Sequence, residues 1–252
     1  MTAAERQLRI QELLDSGEFL DVRRLGRRFG ASLSSVRRDL AQLERQGRLR
    51  RVHGGAVSAQ TPREERLDFA SRSTRAQAEK ERIGKAAAAL VEDGQTVVLD
   101  GGSTVAAVAR GLLGRRLQIV TSSLPIAEIF WDSRNAEVTL TGGYLYPRLG
   151  ALLGPFCEQT LSSVSADLLI MGIGGATETG FSNSNTLIVG TQRKMIEVSQ
   201  SVVVVADHTK FGRRAMVDLA PLDVADIVVS DDRLAQQYRD LLERAAVRVV
   251  LA

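Results

Sequence analysis

The sequence predicts an α/β protein in two parts: a small helical unit closed by a hairpin, then a larger domain built on a mainly parallel sheet covered on both faces. Two observations carry this expectation. Residues 21–56 alternate short amphipathic stretches with turn residues and end in a basic strand–turn–strand pattern. Beyond residue 90, short β-branched runs recur, mostly separated by helical stretches, and nearly continuous apolar strands of that kind imply that both sheet faces are buried. A chain of 252 residues with 44% apolar content supplies a small domain plus one substantial core.

The elements of the first part follow in order. An upstream helix places Ile10, Leu13 and Leu14 on one face and ends at Gly17. Asp21 is set to cap the next helix, whose Val22, Leu25 and Phe29 share a face, and Gly30 breaks it. Ser32 is set to cap a third, with Val36, Leu40 and Leu43 as its apolar stripe and Gly47 as its stop. Ser34, Ser35, Arg37 and Arg38 are left facing away from that stripe. Three helices of this kind close a core, and RLRRVHGGAV then has the outline of a hairpin turning at Gly54-Gly55. The order is that of a helix-turn-helix with a wing. Arginine-rich helix faces are usually only solvated, but hydroxyls and paired guanidinium groups at an outward helix start also suit the major groove of DNA.

At this point the run SVRRDLAQLERQGRLRRVHGGA resembles the signature of the DeoR family of bacterial transcriptional regulators. The resemblance implies a domain that binds double-stranded operator DNA. The candidate contacts are Ser32, Ser34, Ser35, Arg37 and Arg38 on the helix, with Arg51 and His53 on the wing. Charge agrees independently. Residues 1–60 hold twelve Arg, no Lys and seven acidic residues, whereas the remaining 192 hold 21 basic and 23 acidic groups. The net +3 therefore hides a basic head on a mildly acidic body, which places a polyanionic partner at the N-terminal part. These basic residues are spread through a folded unit rather than along one amphipathic helix, which argues against a membrane partner.

The expected boundaries are a DNA-binding domain over 1–58, a linker over 59–75 and a larger domain over 76–252. The linker begins at the polar stretch SAQTP and leads into a helix expected over Glu79 to Val91. Seven strands are expected at 96–100, 117–121, 136–141, 166–171, 201–207, 225–231 and 247–251. The single Cys157 excludes an internal disulfide and reads as a packed small hydrophobe. With only two histidines, neither a metal centre nor a cofactor is expected. No apolar run approaches 18 residues and the N-terminus is charged from Glu5 onward, so the reading is cytoplasmic, without signal peptide or membrane span.

Ligands of such sheets bind beyond the carboxyl ends of the strands. The turn Asp100-Gly101-Gly102-Ser103-Thr104 ends one strand and opens a helix expected over Val105 to Leu113, a setting for an anion held by backbone N–H groups and two hydroxyls. It is equally an ordinary turn capped by Ser103 or Thr104. Neither a P-loop nor a dinucleotide fingerprint is present. The glycines of 172–177, Gly174 among them, either pack tightly or clear space for a ligand. Lys210, in the DHTKFG turn, lies at the same expected sheet edge and is either solvated or a counter-charge to phosphate, and Asp100 is placed to accept from ligand hydroxyls.

These turns, with TGG at 141–143, resemble the DeoR-family effector domain, which is similar in fold to ribose-5-phosphate isomerase and usually senses phosphorylated sugars or their relatives. Asp100, Gly102, Ser103, Thr104, Gly174 and Lys210 are the candidate effector contacts. One departure stands out: family members commonly carry an acidic residue in the helix before the Met-Ile pair, whereas residues 182–196 contain none and place Gly190 near that position.

The favoured function is a regulator, a repressor of carbohydrate-metabolism genes controlled by a phosphorylated sugar and acting as a homodimer or larger homo-oligomer. The alternative is a sugar-phosphate isomerase fused to a DNA-binding domain. Proton transfer between carbons needs a positioned base with a nearby acid. The related isomerases hold paired acids in the loop matching 172–177, which here has none, and Glu178 just past it lacks an acidic partner. No catalytic residue is therefore assigned.

Overall fold

The computed structural model describes residues 5–7, 9–10, 20–46, 49–52, 55–58, 69–74 and 76–252. They divide into two compact units, residues 1–68 and 69–252. In the first, residues 5–7 and 9–10 are helical. A short strand β1 (Leu20–Asp21) leads directly into α1 (Val22–Phe29), and α2 spans Leu33–Arg45. Strands β2 (Leu49–Val52) and β3 (Gly55–Ser58) pair antiparallel, with β1 on the far side of β3. This is the helix-turn-helix and wing expected above. Gly30 takes a left-handed φ of 58°, which stops α1 and turns the chain toward Ser32. Ile10, Leu25, Val36, Leu40, Leu43 and Leu49 form the core, with Val22 and Phe29 packed against it. Leu13, Leu14, Gly17, Gly47 and Gly54 lie outside the described residues.

The second unit opens with α3 (Phe69–Thr74) and α4 (Gln77–Ala88). Residues 69–74, read from sequence as linker, thus form a helix of this unit. Helix α4 begins and ends earlier than the expected 79–91, and its start is set directly after Ala76, whose φ is 48°. The elements that follow are β4 (Thr96–Leu99), α5 (Ser103–Gly111), β5 (Leu117–Thr121), α6 (Leu124–Ile129), β6 (Ala136–Leu140), the hairpin β7 (Tyr144–Tyr146) and β8 (Ala151–Leu153), α7 (Pro155–Leu161) and β9 (Ala166–Gly172). After them come β10 (Gly175–Thr177), β11 (Gly180–Asn183), α8 (Thr186–Glu197), β12 (Ser199–Val205), β13 (Val217–Ala220), β14 (Ile227–Ser230), α9 (Gln236–Arg244) and β15 (Arg248–Leu251).

All seven expected strands join one sheet, in the order β15-β14-β12-β9-β4-β5-β6, and every pairing in it is parallel. Alternation along each strand feeds two cores. Leu168, Ile170, Val203 and Val205 join Ile83, Val105, Val108, Leu112 and Ile126 under α4, α5 and α6. Leu169, Met171, Val202 and Val204 join Cys157, Leu161, Val189, Met195 and Leu242 under α7, α8 and α9. Each such side chain contributes roughly 1.5–3 kcal/mol through burial, which explains why apolar residues occupy both alternating sets. Among the described residues, no helix is long and apolar enough to cross a membrane.

Helices α4 and α5 cross closely because small residues meet there: a Cβ on Gly84 would lie 2.6 Å from the Ala107 carbonyl carbon, and one on Gly111 2.9 Å from the Ala88 Cβ. Replacing Gly84 by Val should force the helices apart and destabilise the second unit by about 1–3 kcal/mol. An unchanged thermal midpoint for the variant would show that the crossing yields more easily than these contacts require.

Candidate functional site

On α2, Ser32 has extended backbone and its Oγ accepts the Ser35 N–H at 3.2 Å, so it is the helix cap. The Ser34 and Ser35 hydroxyls lie 2.8 and 2.9 Å from the same oxygen. Arg37 and Arg38 are exposed on the side away from Val36, Leu40 and Leu43. Asp39 was not singled out in the sequence, yet it is buried and accepts from Arg6 Nε at 2.5 Å and Gln7 Nε2 at 3.2 Å. That carboxylate ties the upstream helical residues to α2 and fixes which side of α2 faces outward. Arg51 sits in β2 opposite Ala56, and His53 lies outside the described residues.

The second candidate site lies beyond the carboxyl ends of β4, β9 and β12. Helix α5 starts at Ser103, earlier than expected, with Gly102 as its N-cap at φ 122° and no side-chain cap bond. Ser103 and Thr104 are therefore first-turn residues rather than caps. Without a side-chain cap, the first-turn N–H groups and the helix dipole favour an anion there. Beside the loop, the Ser123 hydroxyl is fully buried and has no hydrogen-bond partner among the described residues. A Cβ on Gly101 would stand 3.8 Å from that oxygen. The Arg72 guanidinium closes the other side, 3.1 Å from where a Gly102 Cβ would stand.

Asp100 is buried, and its Oδ2 accepts from Gly172 N at 3.2 Å and Gln192 Nε2 at 2.8 Å. Gln192 Nε2 also donates to the Gly172 carbonyl at 2.8 Å, and its Oε1 accepts from Asn183 at 3.0 Å. Asp100 is thus a pivot held by protein donors, with Oδ2 already engaged rather than free for ligand hydroxyls. Burial pushes its carboxyl up to about 6, opposed by the bonds from Gln192, Gly101 and Gly172 and by the Arg72 charge. Gly174 follows the packing alternative: its N–H donates to Ser182 O at 2.9 Å, and a Cβ there would meet Asn183 at 3.0 Å. Its missing side chain serves packing against the β10–β11 hairpin, and its donor is spent.

Lys210 ends a 3-10 turn, His208–Lys210, capped by Asp207, which accepts from Thr209 N at 3.1 Å. Burial, then the nearby Arg72 charge, lowers the Lys210 ammonium to about 8, with Asp207 opposing and Arg213 and Lys80 adding to the repulsion. Arg72 itself is lowered by burial and supported by Asp100 and Asp207. The DGGST and DHTKFG turns therefore converge on one guanidinium. Buried Lys80 fixes its helix by donating to the Arg72 carbonyl. Sequence reading missed Arg72 and Lys80, because nothing in REERLDFASRSTRAQAEKER separates them from the other charged residues of that stretch.

Around the TGG turn, the Thr141 hydroxyl and Cys157 thiol lie 3.2 Å apart, and Cys157 is fully buried. At Gly190, a Cβ would stand 2.9 Å from Glu158 Oε1. A carboxylate from α7 therefore occupies the neighbourhood that α8 leaves without an acid. Glu178 is exposed at the β10–β11 turn.

A winged helix-turn-helix followed by a parallel α/β unit defines a two-part DNA-binding regulator. Residues 6–62 match the DeoR-like helix-turn-helix domain and residues 75–232 the DeoR C terminal sensor domain. The chain is 33% identical over 250 residues to the HTH-type transcriptional regulator GolR of Listeria innocua, covering 98% of each. It is 30% identical to the HTH-type transcriptional repressor GlcR of Bacillus subtilis, covering all of this chain and 97% of that one. It is 34% identical to the glycerol-3-phosphate regulon repressor of Escherichia coli, covering 92% of each. Ribose 5-phosphate isomerase A from Methanocaldococcus jannaschii aligns with 54% of each chain at a TM-score of 0.40 and 17% identity. The chain belongs to the DeoR family of transcriptional regulators. The relatives above match over nearly their whole length and are regulators by name, which favours regulation over the isomerase alternative.

The Asp100 carboxyl has a sign that can be checked. An unfolded aspartate ionises near pH 4, so between about 4 and 6 the folded protein keeps a proton that the unfolded chain has released. This group's contribution to stability falls across that window and stays unfavourable above it. Asp100→Asn should therefore stabilise the ligand-free protein at about pH 8, by up to about 3 kcal/mol, with the gain vanishing below pH 4. Thermal melts across pH test this, and an Asn variant melting below wild type at pH 8 contradicts it.

Proposed function

We propose that the chain is a repressor that binds operator DNA through α2 and the wing and responds to a phosphorylated sugar or related metabolite in the second unit. The observation that carries the ligand reading is the uncapped start of α5 at Gly102, flanked by Arg72, Lys210 and the unpartnered Ser123 hydroxyl. In this reading the α5 N–H groups, Ser103 and Thr104 receive the phosphoryl oxygens, and Arg72 and Lys210 supply counter-charge. A phosphate dianion there relieves the repulsion between the two cations. Its class is supported by a relative named for the glycerol-3-phosphate regulon.

Ser34, Ser35, Arg37 and Arg38 are the proposed operator contacts on α2, with Arg51 and His53 from the wing. One recognition helix covers a half-site, so useful affinity calls for a homodimer or larger assembly on a repeated operator. With an operator selected from a random pool, Arg37→Ala or Arg38→Ala should cost about 1–3 kcal/mol and relax one operator position if the residue reads a base. If it holds phosphate, affinity should fall on all sequences and the salt slope should become shallower by roughly one. A double variant with unchanged operator affinity would remove α2 as the reading helix.

The ligand reading is tested by titrating operator with and without glycerol 3-phosphate and a panel of pentose and hexose phosphates. On family resemblance the expected response is release from DNA. The effective sugar phosphate should bind less tightly as pH rises through about 8, where Lys210 loses its proton. Lys210→Ala should lose the response and this pH dependence while keeping ligand-free operator affinity. A variant that responds at the wild-type ligand concentration would place the phosphate elsewhere.

A further inference from the structure

Trp131, the only tryptophan of the chain, is 85% exposed on the turn after α6. A single exposed apolar side chain needs no partner by itself, and Phe156 and Met216 are each 75% exposed as well; Trp131 is set apart by the charges beside it and by a matching surface on the same helical layer. The turn holds the residue firmly out: Phe130 beneath it is buried, Trp131 N–H donates to Glu128 O at 3.1 Å, and Ser133 N–H donates to Phe130 O at 2.9 Å. Its sequence neighbours Glu128, Asp132 and Arg134 are exposed, as is Glu137 on β6, so the segment that carries the ring is net acidic.

The same helical layer carries a complementary feature. Between the C-terminal halves of α4 and α5 lies a groove of about 480 Å³, walled by Ala88, Ala89, Ala107 and Gly111 and rimmed by Glu81, Lys85, Arg110 and Arg115. Its walls are small residues, two of which, Ala88 and Ala107, are buried where the helices cross, so it offers a flat ring a shallow bed. Its rim is net positive. Lys85 and Arg110 make no ion pair among the described residues, and neither do Glu128, Asp132 or Glu137. A cationic rim over an indole adds cation–π attraction to the charge match.

We infer that Trp131 of one copy of this chain seats in the α4–α5 groove of a second copy, its acidic flank against Lys85 and Arg110. Knob and groove lie on one layer, since α4, α5 and α6 pack on the same sheet face. In this arrangement each copy gives and receives about a two-fold axis, which closes the contact at two rather than running it on as a filament. Both features also lie at the amino-terminal end of the strands, where α4 and α5 finish, while the Gly102 turn lies at the carboxyl end. Association through this face leaves the proposed ligand turns open. Exposed Leu113, at the end of α5, extends the apolar part of the surface. This surface gives the self-association proposed above a location, and it rests on that proposal.

Sedimentation of the full chain gives the association constant, and the single tryptophan reports the contact directly. On dilution of wild type, emission should move from a buried to a solvated wavelength in step with dissociation. Trp131→Ala should weaken self-association roughly 30-fold or more, as removal of a central anchor does, while Trp131→Phe should weaken it less. Lys85→Glu with Arg110→Glu should weaken it as well, and adding Glu128→Lys with Asp132→Lys should restore it. A Trp131→Ala chain that associates as wild type does, or an associated wild type whose emission stays solvated, overturns the surface and leaves the oligomer itself standing. A wild-type chain that remains monomeric at every concentration, free and on operator DNA, overturns both.

Discussion

A carboxylate carried to the end of a buried strand loses its water and must be held by the protein, and much of the second unit is arranged around doing so for Asp100. Its position follows from β4 lying near the middle of the sheet, between β9 and β5, with helices on both faces. Three consequences follow from holding it. Gly172 must present its N–H, so β9 ends where it does. Gln192 must lie across the end of the sheet, which fixes the rotation of α8 and draws Asn183 into the same chain of hydrogen bonds. Arg72 must stay near as the compensating charge, which brings α3 into the unit. An uncompensated charge at that depth would cost on the order of several kcal/mol.

The strands were legible because the parallel sheet buries both faces, so each appears as an uninterrupted β-branched run with no competing period. The two short helices of the first unit were legible for the opposite reason: each has one apolar stripe, and Gly30 and Ser32 mark the turn between them with a positive φ and a cap. Residues whose role depends on a partner distant in sequence were not legible. Arg72 and Lys80 are ordinary members of a charged stretch until α3 folds against the DGGST loop. Asp39 looks like a solvated helix residue until Arg6 and Gln7 reach it. Glycines gave a mixed record, since the sequence reports the absence of a side chain but not its beneficiary. Gly102 leaves a helix start uncapped, Gly174 admits Asn183, and Gly190 admits Glu158.

The cluster of Arg72, Lys210, Lys80 and Arg213 is a poor arrangement for a unit that never meets an anion. Burial and mutual repulsion lower Lys210 although Asp207 stands beside it. Such a cluster persists when something else repays the repulsion, and the proposed phosphoryl group would do so at the same atoms. The free energy then appears on α3, the first element of the second unit in chain order, because Arg72 belongs to it and Lys80 holds its carbonyl. A ligand shifts an equilibrium only by its difference in affinity for the two states. In the proposed reading, such a difference requires the second state to hold Arg72 at another distance from Lys210, so that a phosphoryl group relieves more repulsion in one state than in the other. Linkage is reciprocal whatever the mechanism, so under the proposed reading any factor by which the ligand changes operator affinity is the factor by which operator DNA changes ligand affinity.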